Sequence, residues 1–284
     1  RKITLPNQLY EKVIGVEERV CSDGKIITEL DNFKLKIELL KCLKNGITSC
    51  AILLMHGYKY INHEKKILKL AQSLGFDQVS ASHEISPQIR FVERGDTTVL
   101  DAYLTPILKI YIEQIVQNFS GNLGHKLKFM QSNGGLISKD LFKGKDAVLS
   151  GPAGGVVGAV EVSKKIGENK IIGFDMGGTS TDIAMISGGR ADETNEGKIA
   201  GQDIGTPMLQ VRTLGAGGGT IAWIAPDGLL KVGPESAGAS PGPACYGRGG
   251  TCPTVTDANL VLGALASDNV LGGKMTLDKQ AAEA

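Results

Sequence analysis

The chain has 284 residues, with 31 basic and 30 acidic side chains and a formal net charge of +1. A balance this close to neutral gives no global indication of a protein that binds nucleic acid or anionic membranes. No apolar run approaches the roughly 20 residues of a membrane-spanning helix. We therefore expect partners other than nucleic acid or membrane, and a chain long enough to bury one large or two small cores.

The cysteine content indicates a reducing compartment, and we expect the chain to be cytoplasmic. An odd number of cysteines, without a CxxC pair or a signal peptide, is typical of free thiols. The five are Cys21, Cys42, Cys50, Cys245 and Cys252. The last two lie in one glycine-rich stretch, where a disulfide or half of a metal site is the alternative to free structural thiols.

The first third of the chain alternates between helix and strand patterns. "FKLKIELLKCLKNG" has helical spacing and a stop at Gly46, and "NHEKKILKLAQSLG" has a cap at Asn62 and a stop at Gly75. Short apolar runs, "SCAILLMHGY" and "FDQVSASHE", flank the second helix and predict buried strands. The order predicts a β-α-β unit and an α/β fold class.

The middle of the chain predicts one long helix followed by strands. "DTTVLDAYLTPILKIYIEQIVQNF" has helical spacing, with Asp96 as its cap and Pro106 as a kink or a boundary between two helices. "KLKFMQ" and "AVLS" are predicted strands, and a helix follows from Ser150. Near the end, "TVTDANLVLGAL" predicts a helix that Asp257 caps.

The stretch "FDMGGTSTDIA", residues 174–184, carries the strongest functional signal. It has no GxxxxGK[ST] and no GxGxxG opening a helix, so it matches neither a P-loop nor a dinucleotide fingerprint. A strand, a tight turn and a second strand remain, with Gly177 and Gly178 presenting consecutive N–H groups to one anion. This interpretation makes the stretch a phosphate loop; the alternative is a plain hairpin with polar residues exposed.

The side chains of this turn suit a nucleotide and a divalent cation. Thr179, Ser180 and Thr181 add hydroxyl donors for phosphate. Asp175 suits Mg²⁺, which prefers a carboxylate together with phosphate oxygens, and Asp182 suits the same ion or a nucleophile that needs orienting. We therefore predict Asp175 and Asp182 as catalytic residues and Asp175 as the metal ligand.

Several long motifs resemble one family, the hydantoinase A and 5-oxoprolinase family, which includes N-methylhydantoinases and a subunit of acetone-type carboxylases. They include "SHEISPQIR", "MQSNGGL", "VLSGPAGGVVGA", "FDMGGTSTD", "TLGAGGGTIAW" and "VGPESAGASPGPACYGRGG". The resemblance implies a ribonuclease-H-like, actin-like ATPase core. It also implies use of ATP, a small amide, lactam or ketone substrate, a hydantoinase B-type partner subunit and an oligomer.

The same resemblance implies that "GAGGG" contacts the nucleotide near its adenosine and α-phosphate. The residues are Gly215, Gly217, Gly218 and Gly219. Backbone without side chains allows close approach to a ligand, although a flexible loop is the alternative interpretation.

We expect residues 1–95 to form an α/β segment of the family's N-terminal region and residues 96–284 the ATPase core with its second phosphate loop. The family carries another DxGGTxTD loop near its N-terminus, and this chain has none. We therefore expect a fragment of a larger subunit. The predicted activity is ATP-dependent ring opening of a cyclic amide; a carboxylase subunit, a chaperone-like ATPase and an inactive fragment are the alternatives.

The remaining candidates have simpler interpretations. The histidines, including His63 and His83, lack the spacing of a metal site and are predicted at helix starts and strand ends. Glu93 and Arg94, beside Asp96, predict a surface ion pair, with a position facing the cleft between two lobes as the alternative. Cys245 has no histidine near it in sequence that would activate it as a nucleophile.

Overall fold

A computed structural model describes residues 7–119, 126–199, 201–268 and 270–284. The chain forms two compact units. The first comprises Arg1–Gly154 and Glu193–Leu209, and the second comprises Gly155–Asp192 and Gln210–Ala284. The second unit therefore contains all the residues predicted to bind a nucleotide.

The secondary structure is mixed, with strands and helices in both units. In chain order the first elements are β1 (Arg19–Val20), β2 (Ile26–Thr28), α1 (Asn32–Lys44), β3 (Ser49–Ile52), α2 (Asn62–Leu74), β4 (Gln78–Ala81), α3 (Ser82–Ile85) and α4 (Phe91–Gln117). Next come β5 (Lys128–Met130), β6 (Leu136–Ser138), α5 (Gly144–Ala147), α6 (Ser150–Ile166), β7 (Lys170–Met176), β8 (Thr181–Ser187) and β9 (Arg190–Ala191). The last are β10 (Glu193–Thr194), β11 (Gly197–Ile199), β12 (Gln202–Ile204), β13 (Met208–Leu209), β14 (Arg212–Leu214), β15 (Thr220–Ile224), β16 (Leu230–Ser236), α7 (Val255–Val261) and α8 (Lys279–Glu283).

The predicted β-α-β unit is present in the first unit. Strands β3 and β4 pair in parallel, with Ile52 opposite Ala81, and α2 connects them. Apolar side chains of α1, α2, both strands and the adjoining loops form one core, which comprises Leu30, Leu35, Leu39, Cys42, Ile52, Ile67, Ala71, Phe76 and Ala81. Gly75 ends α2 with a left-handed φ of 96°, as predicted. Asn62 is the first helical residue, not the cap, and makes no capping bond.

Helix α4 runs without interruption for 27 residues. It begins at Phe91, so the prediction that Asp96 caps it is wrong, and Pro106 lies inside one helix, not between two. Within its first two turns, the hydroxyls of Thr97 and Thr98 donate at 2.7 Å to the carbonyls of Glu93 and Arg94, one turn earlier in the helix.

The predicted strand at "AVLS" is also wrong. Ala147 ends the short helix α5, and Ser150 already begins α6. A four-residue apolar run fits a helix as well as a strand, so its periodicity does not decide between them.

An antiparallel sheet organises the second unit. Strand β8 lies between β7 and β14, and β9 also pairs with β8. Helix α6 packs on this sheet where small residues meet: a β-carbon on Gly173 would lie 3.6 Å from the β-carbon of Ala159. Strands β15 and β16 form a separate hairpin, and Cys245, Leu260 and Leu277 form a small core beside α7 and α8. Within the described residues, no helix has the length and apolar character that a membrane crossing requires.

Candidate functional site

The predicted strand-turn-strand is present and sets two carboxylates side by side. In the antiparallel register of β7 and β8, Asp175 pairs with Asp182 and Met176 with Thr181. Directly paired residues project from the same face of a sheet, so both carboxylates lie on one face. The turn between them comprises residues 177–180, and its first amide, on Gly177, donates to the carbonyl of Ser180 at 2.8 Å.

The turn leaves three consecutive backbone donors free. The N–H groups of Gly178, Thr179 and Ser180 make no hydrogen bond to any other residue that the structure describes. Gly178 and Thr179 are exposed and Ser180 is half-buried. The prediction that the Gly177 and Gly178 amides both face one anion is therefore wrong for Gly177, because its amide closes the turn. Free amides in sequence, joined by two hydroxyls, are suited to an anion.

The second predicted loop packs directly on this turn. The amide of Gly218 donates to the carbonyl of Gly177 at 2.9 Å, and that of Gly219 donates to the carbonyl of Gly178 at 2.6 Å. A β-carbon on Gly217 would lie 2.7 Å from the Gly177 oxygen, closer than real contacts allow. The absence of side chains in "GAGGG" therefore allows this loop to pack directly against the backbone of the turn. The sequence alone did not predict this role.

This packing uses donors that the sequence analysis assigned to a nucleotide. The Gly217 amide donates to the Thr220 hydroxyl at 2.7 Å, and the Thr181 hydroxyl donates to the carbonyl of Ala216 at 2.5 Å. Thr181 is buried. Gly215 differs, because it is exposed and no other atom lies within 4 Å of a β-carbon built there. Of the glycines in this loop, Gly215 has the most room beside it for a ligand.

The two carboxylates have different surroundings. The Thr213 hydroxyl donates to Asp182 at 2.6 Å, which holds that carboxylate against β14. Asp175 is exposed, and a β-carbon on Gly155 of α6 would lie 3.3 Å from its Oδ2. Asp175 thus offers hard oxygen ligands beside the free amides, a donor set that fits Mg²⁺ when phosphate and water complete the octahedron. Within the described part of the chain, no three His, Cys, Asp or Glu side chains group as a metal site.

Sequence reasoning missed two threonines that complete this arrangement. The first is Thr213, whose hydroxyl donates to Asp182. The second is Thr256, whose amide donates to the carbonyl of Gly218 at 2.7 Å and so connects the glycine loop to the start of α7. Both residues lie in quoted stretches, Thr213 in "TLGAGGGTIAW" and Thr256 in "TVTDANLVLGAL", but both are far from the turn in sequence and no pattern links them to it. Only the pairing of β14 with β8 and the position of α7 reveal them.

Cys245 is a structural residue. Its side chain is buried, and its amide donates to Asp257 at 2.8 Å. Burial, reinforced by the neighbouring Asp257 carboxylate, raises the pKa of the Cys245 thiol from 9.0 to about 12, so it is protonated at neutral pH. All five cysteines are free, so Cys245 and Cys252 form no disulfide. Asp257 is the third residue of α7 in a capping box whose N-cap is Thr254, a correction to its predicted position.

Comparison with known proteins identifies relatives along nearly the whole chain. The hydantoinase/oxoprolinase family model matches residues 94–284, and the model of the hydantoinase/oxoprolinase N-terminal region matches residues 2–75. The chain is 42% identical to 5-oxoprolinase 1 of Arabidopsis thaliana, across 94% of this chain and 22% of that protein. It is 40% identical to caprolactamase subunit alpha of Pseudomonas jessenii, across 98% of this chain and 40% of that subunit.

Two solved structures share the fold. The ATP-dependent caprolactamase from Pseudomonas jessenii superposes with a TM-score of 0.75 at 40% identity, and nucleotide-free acetone carboxylase superposes with a TM-score of 0.74 at 29% identity. Each match covers 94% of this chain and 39% of the solved chain. The chain therefore spans well under half the length of these relatives.

Proposed function

We propose that this chain, which belongs to the hydantoinase/oxoprolinase family, binds MgATP in an enzyme that opens a small cyclic amide. One observation carries the proposal: the free amides of Gly178, Thr179 and Ser180 lie in a turn flanked by Asp175 and Asp182. Relatives named 5-oxoprolinase and caprolactamase support the reaction class, and the printed description of the latter's structure is ATP-dependent.

Each residue of the site takes a role that its surroundings allow. The amides of residues 178–180 and the hydroxyls of Thr179 and Ser180 hold phosphate oxygens, and Asp175 holds Mg²⁺. Asp182, fixed by Thr213, orients the attacking group. Gly177, Thr181 and Gly217–Gly219 support the turn, and Gly215, with open space beside it, would contact the adenosine side of a bound nucleotide. When bound, MgATP supplies phosphoryl activation of the amide carbonyl, chemistry in which the protein contributes positioning and charge neutralisation.

The family membership also suggests features beyond the site. We place the turn in a ribonuclease-H-like, actin-like ATPase core over residues 96–284, preceded by the α/β segment of residues 1–95. The relative named as a subunit alpha supports an enzyme of more than one subunit, and we propose that the partner is a hydantoinase B-type subunit in an oligomer. Five free thiols are consistent with the cytoplasm.

A carboxylase is the second candidate, favoured by the structural match to acetone carboxylase at a TM-score of 0.74. The phosphate turn serves either reaction, because both begin with phosphoryl transfer to a carbonyl substrate. The identity of 40% to the caprolactamase, against 29% to the carboxylase, favours the lactam hydrolase.

ADP release from MgATP distinguishes these candidates. We expect a lactam such as 2-pyrrolidinone to stimulate release, and Asp175→Asn to abolish the stimulation. Stimulation by acetone with bicarbonate, and not by lactam, would identify the carboxylase instead. Stimulation by neither would contradict the proposed reaction.

A further inference from the structure

The sheet of the second unit has one covered face and one bare face. Side chains along each strand point alternately to the two faces. Helix α6 packs on one face, where a β-carbon on Gly173 would lie 3.6 Å from the β-carbon of Ala159. On the opposite face, five large apolar side chains are between 44% and 69% exposed. These five side chains, called here the apolar sheet face, are Ile172, Phe174, Met176, Met185 and Leu214.

The five side chains form one patch across three neighbouring strands. The antiparallel register pairs Ile172 of β7 with Met185 of β8, and it sets Met176 and Leu214 on either side of Thr181. Residues paired in this way project from the same face of a sheet. Single apolar side chains are normal on a protein surface, but a contiguous apolar patch marks an interaction site.

The sequences of β7 and β8 are typical of strands that are buried on both faces. They are "KIIGFDM" and "TDIAMIS", in which apolar residues occupy positions of both faces. Such runs are expected where helices cover a sheet on each side. On the covered face, Ala184 and Ile186 are buried as this pattern requires. The apolar sheet face has the same composition and is exposed, so it has the character of an interface.

Three basic side chains share this face. Lys170 of β7 and Arg190 of β9 both pair with Ser187 at one end of the sheet, and Arg212 of β14 pairs with Ile183. All three are exposed, and none makes an ion pair with any other residue that the structure describes. Of the strand residues that project from this face, none is acidic. The charge therefore complements a surface that carries carboxylates beside apolar side chains.

The dimensions of the patch fit a single helix. The seven residues of β7 extend about 23 Å, which is the length of about 15 residues of α-helix. Three strands spaced about 4.8 Å apart present a width of about 10 Å, close to the diameter of a helix with its side chains. One helix is therefore enough to cover all five side chains.

We propose that the apolar sheet face binds an amphipathic helix whose apolar stripe is bordered by Asp or Glu. The helix belongs to the part of the family's polypeptide that this chain does not span. The two solved relatives that share the fold are matched over only 39% of their own length, so more than half of each polypeptide is available to supply it. Burial of the five side chains supplies the main driving force, and Lys170, Arg190 and Arg212 select the acidic border.

Cysteine labelling at two adjacent positions tests whether the longer polypeptide covers this face. Met185 is 67% exposed on the apolar sheet face, and Ile186 is 2% exposed on the opposite one. In this chain, a thiol reagent should label Met185→Cys at least about tenfold faster than Ile186→Cys. In caprolactamase subunit alpha expressed alone, cysteines at the two aligned positions should both react slowly. Rapid labelling there at the position of Met185 would overturn the inference.

Two synthetic peptides test the chemistry of the helix. Both have 15 residues and a leucine stripe at helical spacing, which glutamates border in one peptide and lysines in the other. The glutamate peptide should bind this chain about tenfold more tightly, as expected for several exposed charge pairs. Combined reversal of the three basic residues, Lys170→Glu, Arg190→Glu and Arg212→Glu, should reverse the preference. Circular dichroism establishes that this variant is folded.

A matched pair of substitutions locates the peptide. Met185→Asp should weaken binding of the glutamate peptide by at least about tenfold, because it places a carboxylate within the patch. Phe33→Asp is the control, since Phe33 is 77% exposed on α1 of the first unit, and it should leave the affinity unchanged. Equal loss in the two variants would overturn the assignment of the site.

Other occupants give different results. Equal affinity for the two peptides would contradict the acidic border. Dimerisation in sedimentation experiments that Met185→Asp abolishes, without selective binding of the glutamate peptide, would assign the face to a second copy of the chain. Binding to phosphatidylserine vesicles, again without that selectivity, would assign it to a membrane surface. Either result would overturn the inference.

Discussion

Gly217 lies against the carbonyl of Gly177 so closely that a β-carbon on Gly217 would be 2.7 Å from that oxygen. It would also be 2.8 Å from the Ser180 nitrogen. The glycine loop and the phosphate turn are therefore one structural unit. Whatever displaces the loop also displaces the free amides that the proposed function depends on.

Gly217→Ala should destabilise the fold by about 1–3 kcal/mol, because the new methyl group meets three backbone atoms of the turn. The same change should weaken MgATP binding. Urea unfolding and calorimetric titration measure the two effects. Gly215→Ala is the matched control for stability, since nothing lies within 4 Å of its added methyl group and its φ is not left-handed. Equal stability of the two variants would contradict the bracing role.

Substitution of two nearby threonines should distinguish a side chain that stabilises the turn from one that contacts the ligand. Thr181→Val removes the donor to Ala216 from a buried position and should lower the free energy of unfolding by about 1–2 kcal/mol. Thr179→Val changes an exposed side chain and should alter stability by less than about 0.5 kcal/mol, while weakening MgATP binding. Stability measurements and nucleotide titration of both variants check this. A reversed pattern would show that the hydroxyls have been assigned the wrong roles.

Asp257 should make stability depend on acid pH. Burial acts to raise the pKa of this carboxyl, but hydrogen bonds from Cys245 and Thr254 outweigh it and hold the pKa below its ordinary value of 3.8. Because the folded pKa is the lower one, the stabilisation is present above the ordinary value and is lost as pH falls through the depressed pKa. Asp257→Asn should cost about 1.5–3 kcal/mol at neutral pH, since it weakens hydrogen bonds to a charged acceptor.

The acid-pH prediction is measured by urea unfolding of the wild type and Asp257→Asn from neutral pH down to below the ordinary aspartate value. The difference between the two proteins should shrink on acidification. A difference that is constant with pH would mean that the carboxylate charge is not what stabilises the folded chain.

Cysteine labelling should distinguish two thiols that are seven positions apart. Cys245 is buried with its pKa raised to about 12, and Cys252 is exposed. A disulfide reagent at neutral pH should modify Cys252 in the folded protein and Cys245 only after unfolding, because the thiolate is the reactive form. Peptide mass analysis identifies the labelled residue. Rapid labelling of Cys245 in the native state would reopen a nucleophilic role.

The sequence predicted local features well where a single pattern decides. Two acids framing "GGTST" predicted the β7–β8 hairpin, and Gly75 predicted the left-handed end of α2. It did not predict that "GAGGG" lies on that hairpin. Their contact depends on the pairing of β14 with β8, where Leu214 meets Thr181, and no local pattern encodes such a register.

Burial of charged residues was the other feature that the sequence did not predict. Arg94 was predicted in a surface ion pair with Glu93, but it is fully buried and donates to three carbonyls, while Glu93 pairs with Arg90. Arginine is so often exposed that sequence reasoning favours the surface, and only tertiary contacts reveal the exception. For the same reason, His83 was assigned to a strand end without its Glu64 partner.

Calorimetric titration with MgATP tests the central claim most directly. We predict saturable, one-to-one binding by the wild-type chain and a loss of that binding in Asp175→Ala, with circular dichroism confirming that the variant is folded. Because the free amides contact phosphate and Asp175 contacts the metal, the variant should lose MgATP affinity more than affinity for metal-free ATP. Equal MgATP affinity in the two proteins, or no binding by a folded wild type, would contradict the assignment of the turn as a nucleotide site.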